Sequence, residues 1–293
     1  MESKAINHES SRARWQAYRR RPLSLLLRLA VTVSAAITVF VLIALVAYIL
    51  IKGIPNLRLS LFAWEYTSEN ASMLPAIINT ITMTVLSLLM AVPVGICSAI
   101  YLVEYAKRGN KLVSLVRVTA ETLQGIPSIV YGLFGFLFLV VACKFGYSLL
   151  SGAITLAIMI LPLILRTTEE ALKAVPDLYR EGSFGLGAGR LRTVFRIVLP
   201  SAVPGILAGV ILAIGRIVGE TAALIYTSGT VAGVPDTLMG SGRTLAVHMY
   251  ALLSNGLYTE EAYATAVVLL VMVIGINALS GWLAKKVSAK QGE

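Results

Sequence analysis

Six long apolar runs divide the chain: Leu29–Ile51, Met73–Val103, Thr122–Cys143, Phe145–Leu165, Ser201 to about Ile225, and Ala262–Ala284. At 1.5 Å per helical residue each is long enough to cross, or nearly cross, the roughly 30 Å hydrocarbon core of a bilayer. The second run holds Pro93 and Gly95, which predict a kink or tilt there. The third has Pro127 close to Gly125, an irregular helix start. Only Lys144, Gly146 and their neighbours separate the third run from the fourth, so these two form a tight antiparallel hairpin. The fifth is interrupted by Arg216 and Glu220. Hydroxyl and amide groups in the second run (Asn79, Thr80, Thr82, Thr84) read as helix–helix contacts. The pattern predicts an all-α polytopic protein with six transmembrane helices and both ends on one side.

Between the fourth and fifth runs lies a polar, glycine-punctuated island, Val175–Gly205. Pro176 and Asp177 open a short helix, since proline presets φ and an early carboxylate suits the positive helix end. Leu178, Gly182 and Leu186 fall on one side of it, and Gly185 and Gly187 end it. A second helical segment follows, with Leu191, Val194, Phe195 and Val198 at i, i+3, i+4, i+7 and with Arg192 and Arg196 on another face. A basic, half-apolar hairpin of this kind is suited to being gripped by another protein.

Composition places the chain in the membrane class: 57% of its 293 residues are apolar and 14% charged. Its net charge of +10 is explained by loop lysines and arginines, not by nucleic-acid binding. Twenty of the 25 Lys and Arg residues lie in the N-terminal tail, the second-to-third loop, the fourth-to-fifth loop and the C-terminal tail. The other side has Lys52, Arg58, Lys144 and Arg243, and Arg216 is intramembrane. The positive-inside rule therefore puts both termini and the polar island in the cytoplasm. The first apolar run is too long for a signal-peptide core and reads as a retained anchor. Residues 1–28 form a basic cytoplasmic tail, 29–51 the anchor, 73–284 a five-span core with a cytoplasmic loop at 166–200, and 285–293 a cytoplasmic tail. Cys97 and Cys143 read as buried small hydrophobes. His8 and His248 are isolated and carry no site. The long external loop 226–261 is a gate, a docking point or a solvated connector.

The island matches a spaced pattern. Glu181-Gly182-Ser183, three residues, Gly187, nine residues, then Ile197-x-Leu199-Pro200 resembles the EAA loop of bacterial ABC importer permeases. Gly182 and Ser183 replace the two alanines of that pattern and remain small. The segments Gln124–Gly135 and Gly215–Ala223, with Lys173–Pro176 and Arg166, resemble the phosphate-importer permeases, most closely the PstA type. The resemblance implies a type I ABC importer fold in the bacterial inner membrane, carrying half of an inorganic phosphate path. It also implies a second, homologous permease (PstC type), a homodimeric cytoplasmic ATPase (PstB type) and a periplasmic phosphate-binding protein (PstS type). No Gly-x-x-x-x-Gly-Lys-Ser/Thr phosphate loop is present, so ATP and Mg belong to the ATPase chain, and this chain binds no cofactor and catalyses no covalent step.

By this resemblance Asp177, Leu178, Arg180, Glu181, Gly182, Ser183, Phe184, Leu186, Gly187, Ile197, Leu199 and Pro200 couple to the ATPase. Arg180, Glu181 and Arg190 are expected to meet its charges, and Leu178, Phe184 and Leu186 to anchor in its groove. Arg216 is expected to face the path and offer a fork of donors to a tetrahedral oxyanion, with Glu220 at i+4 as its ion partner and as a proton acceptor. A closed structural pair is the other reading. Arg166 is an inner-mouth guide or a snorkelling anchor. Gly205, Gly209, Ala213, Gly215 and Gly219 form a small-residue stripe for close helix packing, within the chain or against the second permease. Sixteen residues separate Pro200 from Arg216, a short helical route from the coupling loop to the anion. The rivals are the same machine for another oxyanion (phosphonate, molybdate or sulfate) and an ion-gradient-driven secondary transporter, whose paired broken helices are not visible here.

Overall fold

The computed structural model describes residues 22–107 and 109–289, which divide into two units between Lys52 and Gly53. The first is essentially one helix, α1 (Pro22–Gly53), 32 residues long and apolar on every face with exposed side chains. A helix with no polar stripe has lipid as its solvent.

The second unit is a helical bundle. In chain order it holds α2 (Leu74–Ile100), α3 (Lys111–Gln124), α4 (Ser128–Gly135), α5 (Leu149–Lys173), α6 (Asp177–Gly185), α7 (Arg190–Thr193), α8 (Leu199–Val218), α9 (Ala222–Thr227), α10 (Leu245–Asn255) and α11 (Thr259–Ala289). Single π turns extend α2 at Tyr101–Tyr105, α4 at Phe136–Ala142, and join α7 to α8 at Val194–Val198. Among the described residues five helices are long and apolar enough to cross a membrane, and a bent pair, α3 with α4, makes a sixth.

α5 is the centre. Leu149, Leu156, Met159, Ile160, Ile164 and Leu172 are buried along its length, and α2 and α8 pack on it from either side. Lipid gives no hydrophobic drive for helices to associate, so close van der Waals approach has to hold them. Gly205 and Gly209 on α8 supply it: a methyl group at Gly205 would lie 2.7 Å from the Ala171 side chain, and one at Gly209 would collide with Thr167. Ala213, one turn further on, is fully buried. These three small residues thus serve packing inside the chain, whereas Gly215 faces open space.

Two expectations change. The third span does not begin at Thr122: α3 ends at Gln124, and the chain turns by 102° before α4. Pro127, with no N–H to give, caps α4 with extended backbone, and the Tyr131 hydroxyl donates across the break to the Leu123 carbonyl at 2.8 Å. The membrane part is then 128–142, about 22 Å long. Cys97 and Cys143 are exposed, not buried.

The loop 226–261 is a packed part of the bundle. The amides of Leu149 and Leu150, orphan donors at the start of α5, find the carbonyls of Gly240 and Leu238 at 3.0 and 2.9 Å. The Asn79 amide donates to the carbonyls of Gly233 and Arg243, and Thr80 accepts from the Leu245 amide at 2.8 Å. The second-run polar groups Asn79 and Thr80 therefore tie this loop to α2.

Candidate functional site

The polar hairpin between the fourth and fifth apolar runs is built from α6 and α7. Pro176, in extended backbone, starts α6 at Asp177, and Gly187 ends it with φ +82, a conformation costly to any residue with a side chain. Ser183 is buried and shares a 2.8 Å hydrogen bond with Thr193 on α7, closing the hairpin. Here the serine of the EAA-like pattern has a specific task that alanine would not perform. Gly182 faces open space within this chain.

The outer face of α6 is apolar and free: Leu178 is 75% exposed, Leu186 91%, and Tyr179 and Phe184 about half. Glu181 is exposed among them. A contiguous set of large exposed apolar side chains marks an interaction surface. Tyr179 was not singled out by spacing, although an aromatic side chain on this face is a natural anchor. In the second helical segment the regular stripe is split. Val194 and Val198 are buried in a cluster with Leu172, Val175 and Ala202, while Leu191 and Phe195 are exposed. Each i, i+4 pair keeps its own face, Leu191 with Phe195 and Val194 with Val198, and it is the i, i+3 steps between the pairs, each offset by about 60° around the helix, that leave the buried side. Ile197, Leu199 and Pro200 are half-buried, and Leu199 packs on the same cluster at the start of α8.

Arg180 does not point outward to a partner. Its guanidinium lies 2.8 Å from the Glu104 carboxylate, donates to the carbonyls of Leu172 and Val175 at 2.9 and 2.8 Å, and meets Asp177 at 3.1 Å. Both Arg180 and Glu104 side chains are largely buried, at 15% and 9% exposure. One arginine thereby fastens α6 to the C-terminal end of α5 and to the π turn that ends α2. Glu104 was invisible as a partner because 76 residues separate the two; its only sequence signal is a carboxylate at the end of an apolar run. Arg190 is exposed, with its guanidinium over the Tyr105 ring.

Arg166 lines a cavity of about 230 Å³ with Arg117, Glu121, Glu169, Glu170 and Lys173. It pairs with Glu170 at 3.1 Å and Glu121 at 3.7 Å, while the buried Glu169 takes Arg117 at 2.6 Å and Lys173 at 2.7 Å. Three cations face three carboxylates, so this cavity is electrostatically balanced.

Arg216 is half-buried in the last turn of α8, about 24 Å along the helix from Pro200. The expected ion pair with Glu220 does not form. The helix ends at Val218, and Glu220 lies beyond the break, where its carboxylate accepts from the Ala223 amide at 3.1 Å. It acts as the cap of α9. Among the described residues no carboxylate comes within ion-pair distance of Arg216. The site residues thus fall into two groups, the hairpin with its clasp and Arg216 further up α8, with Arg166 in a separate, balanced cavity.

Residues 91–291 match the family of binding-protein-dependent transport system inner membrane components. The chain is 32% identical to the probable ABC transporter permease protein YqgI of Bacillus subtilis over 87% of its length and 93% of that protein's. It is 36% identical to the phosphate transport system permease protein PstA of Pasteurella multocida, covering 77% of this chain and 81% of that one. Among solved structures, a chain of a bacterial alginate ABC transporter aligns over 94% of this chain and 98% of its own, with TM-score 0.66 at 16% identity. A chain of the MetNI methionine transporter aligns over 72% and 93%, with TM-score 0.57 at 21% identity, and supports the same fold. The chain belongs to the inner-membrane permeases of binding-protein-dependent ABC importers, multi-pass subunits that work beside a separate ATPase chain.

Proposed function

We propose that this chain is the PstA-type permease of an ATP-driven inorganic phosphate importer. The apolar face of α6, with Glu181 beside it, is the surface an ATPase groove grips, and Arg216 meets the anion. The observation that carries the anion assignment is a half-buried guanidinium on a spanning helix with no carboxylate partner among the described residues. Such a charge is expensive in a bilayer, and an arginine keeps it at any accessible pH. Its fork of donors fits two oxygens of a tetrahedral oxyanion. The likeness to named phosphate permeases at 34–36% identity supports phosphate as that anion.

In this reading closure of the ATPase pulls on α6. The Arg180 clasp passes the movement to α2 and α5, the Ser183–Thr193 bond passes it to α7 and α8, and the path opens outward. A PstC-type permease completes the path, and a PstS-type protein delivers phosphate. The test is ATP hydrolysis by the purified four-component complex. Phosphate-loaded binding protein is expected to raise the rate several-fold, and sulfate to leave it at the basal level. Equal stimulation by sulfate, or none by phosphate, would overturn the substrate assignment.

A further inference from the structure

The external side holds a second buried cation that the coupling and path residues leave unused. Arg243 is 6% exposed, and neither its Nε nor one of its terminal nitrogens has an acceptor among the described residues. The guanidinium lies over the Tyr66 ring, 4.6 Å from its centre, and Tyr66 stands edge-on to His248 with the ring centres 6.1 Å apart. His248 is fully buried, and among the described residues neither ring nitrogen has a hydrogen-bond partner of good geometry, the Ala71 backbone lying near enough only to favour the protonated ring. The hydroxyl of the adjacent Thr244, 2% exposed, is also unused.

The backbone here is fixed while the side chains are not satisfied. The Arg243 amide donates to Val231, its carbonyl accepts from Asn79, and the His248 amide donates to Thr244. The arginine is therefore held in place for a reason its own fold does not supply. An arginine cannot escape burial by losing its proton, and a cation–π contact offsets only part of the lost hydration. What completes such a site is an anion carrying several acceptor oxygens. Burial, and then the Arg243 charge, push the His248 pKa down to about 3, so near neutral pH its ring is uncharged. It then offers one donor and one acceptor nitrogen. A free acceptor suits an oxyanion that still carries a proton.

We propose that Arg243, with His248 and Thr244, forms a second oxyanion site on the external side, covered by the half-buried Tyr66 ring, which takes the transported anion before it reaches Arg216. A small inorganic anion fits better than a carboxylate from another chain. The donor atoms are enclosed, so a tethered group would have to carry its stem past α10, whereas a free ion needs only the Tyr66 segment to part. The site rests on the phosphate reading, and it assigns the choice of phosphate over sulfate to the His248 acceptor, not to Glu220.

The experiment is equilibrium binding of radiolabelled phosphate to the assembled transporter in nanodiscs, without binding protein, in an Arg216→Gln background that removes the deeper site. That complex is expected to bind phosphate and to lose it to unlabelled phosphate but not to sulfate. Adding Arg243→Gln is expected to weaken binding by about tenfold or more. Arg243→Lys, which keeps the charge and loses the fork, guards against a folding defect: it should assemble fully and still bind about tenfold more weakly. Undiminished binding in the assembled Lys variant, or no binding in the parent complex, overturns the site. So does loss of the second permease from Arg243→Gln while Arg243→Lys binds normally, because the arginine then answers a partner's carboxylate. Phosphate-stimulated ATP hydrolysis by the wild-type complex separates these failures from failure of the substrate assignment itself.

Discussion

Arg180 shows how much one side chain decides here. It is bonded to Glu104, Asp177 and two carbonyls, so its removal leaves a buried carboxylate without a partner, a loss of about 3–5 kcal/mol for a well-enclosed pair. Arg180→Ala is predicted to lower the melting temperature of the complex and to abolish phosphate stimulation of ATP hydrolysis. Glu181→Ala, on the exposed face, should leave melting unchanged and weaken only ATPase association. Equal melting of the two variants would contradict the clasp. Glu220 makes a different prediction now that it caps α9. Glu220→Gln keeps an acceptor for the Ala223 amide and should transport phosphate near the wild-type rate, whereas Glu220→Ala loses the cap, about 1 kcal/mol, and should transport less. Uptake assays on the pair decide it. Neither contact was legible in the sequence. The i, i+4 spacing of Arg216 and Glu220 presumes an unbroken helix, and the Glu104–Arg180 contact depends on how two distant helix ends meet.

At the scale of elements, long apolar runs were readable because lipid demands them, and the α6–α7 hairpin was readable because Pro176 and Gly187 mark its turns. What spacing could not give was phase. Leu191 and Phe195 face out while Val194 and Val198 stay in, so the four do not share the one buried face that their spacing implies. The 102° turn before α4 was foreshadowed by Gly125 and Pro127, but its size depends on α3 lying against α5 through the Arg117–Glu169 pair. Glycines also divide by position. Gly182→Ala adds a methyl group into open space and should stabilise α6 by about 1 kcal/mol, so within this chain it is harmless. Gly209→Ala drives the same methyl group into Thr167 and should cost about 1–3 kcal/mol by overpacking. Thermal melting of the two purified variants is expected to move in opposite directions.

For the whole molecule, proximity in sequence suggested that force received at Glu181 runs up α8 to Arg216. In the proposed mechanism the helix contacts offer a broader route. α6 is fastened to α2 and α5 by Arg180 and to α7 by Ser183, and α5 is interlocked with α8 at Ala171–Gly205 and Thr167–Gly209. The account therefore has α2, α5 and α8 moving together, with Arg216 carried on a packed bundle. The loop 226–261 belongs to the same bundle, since it caps α5 and is held by Asn79 and Thr80 of α2. The measurement that tests the central claim most directly is ATP-driven uptake of radiolabelled phosphate into proteoliposomes holding the complete transporter. Wild type is predicted to accumulate phosphate. Arg216→Ala, with subunit content and basal ATP hydrolysis intact, is predicted to fall by about 100-fold or more, as expected when an oxyanion loses its charged donor pair. Uptake by Arg216→Ala at the wild-type rate would contradict the account.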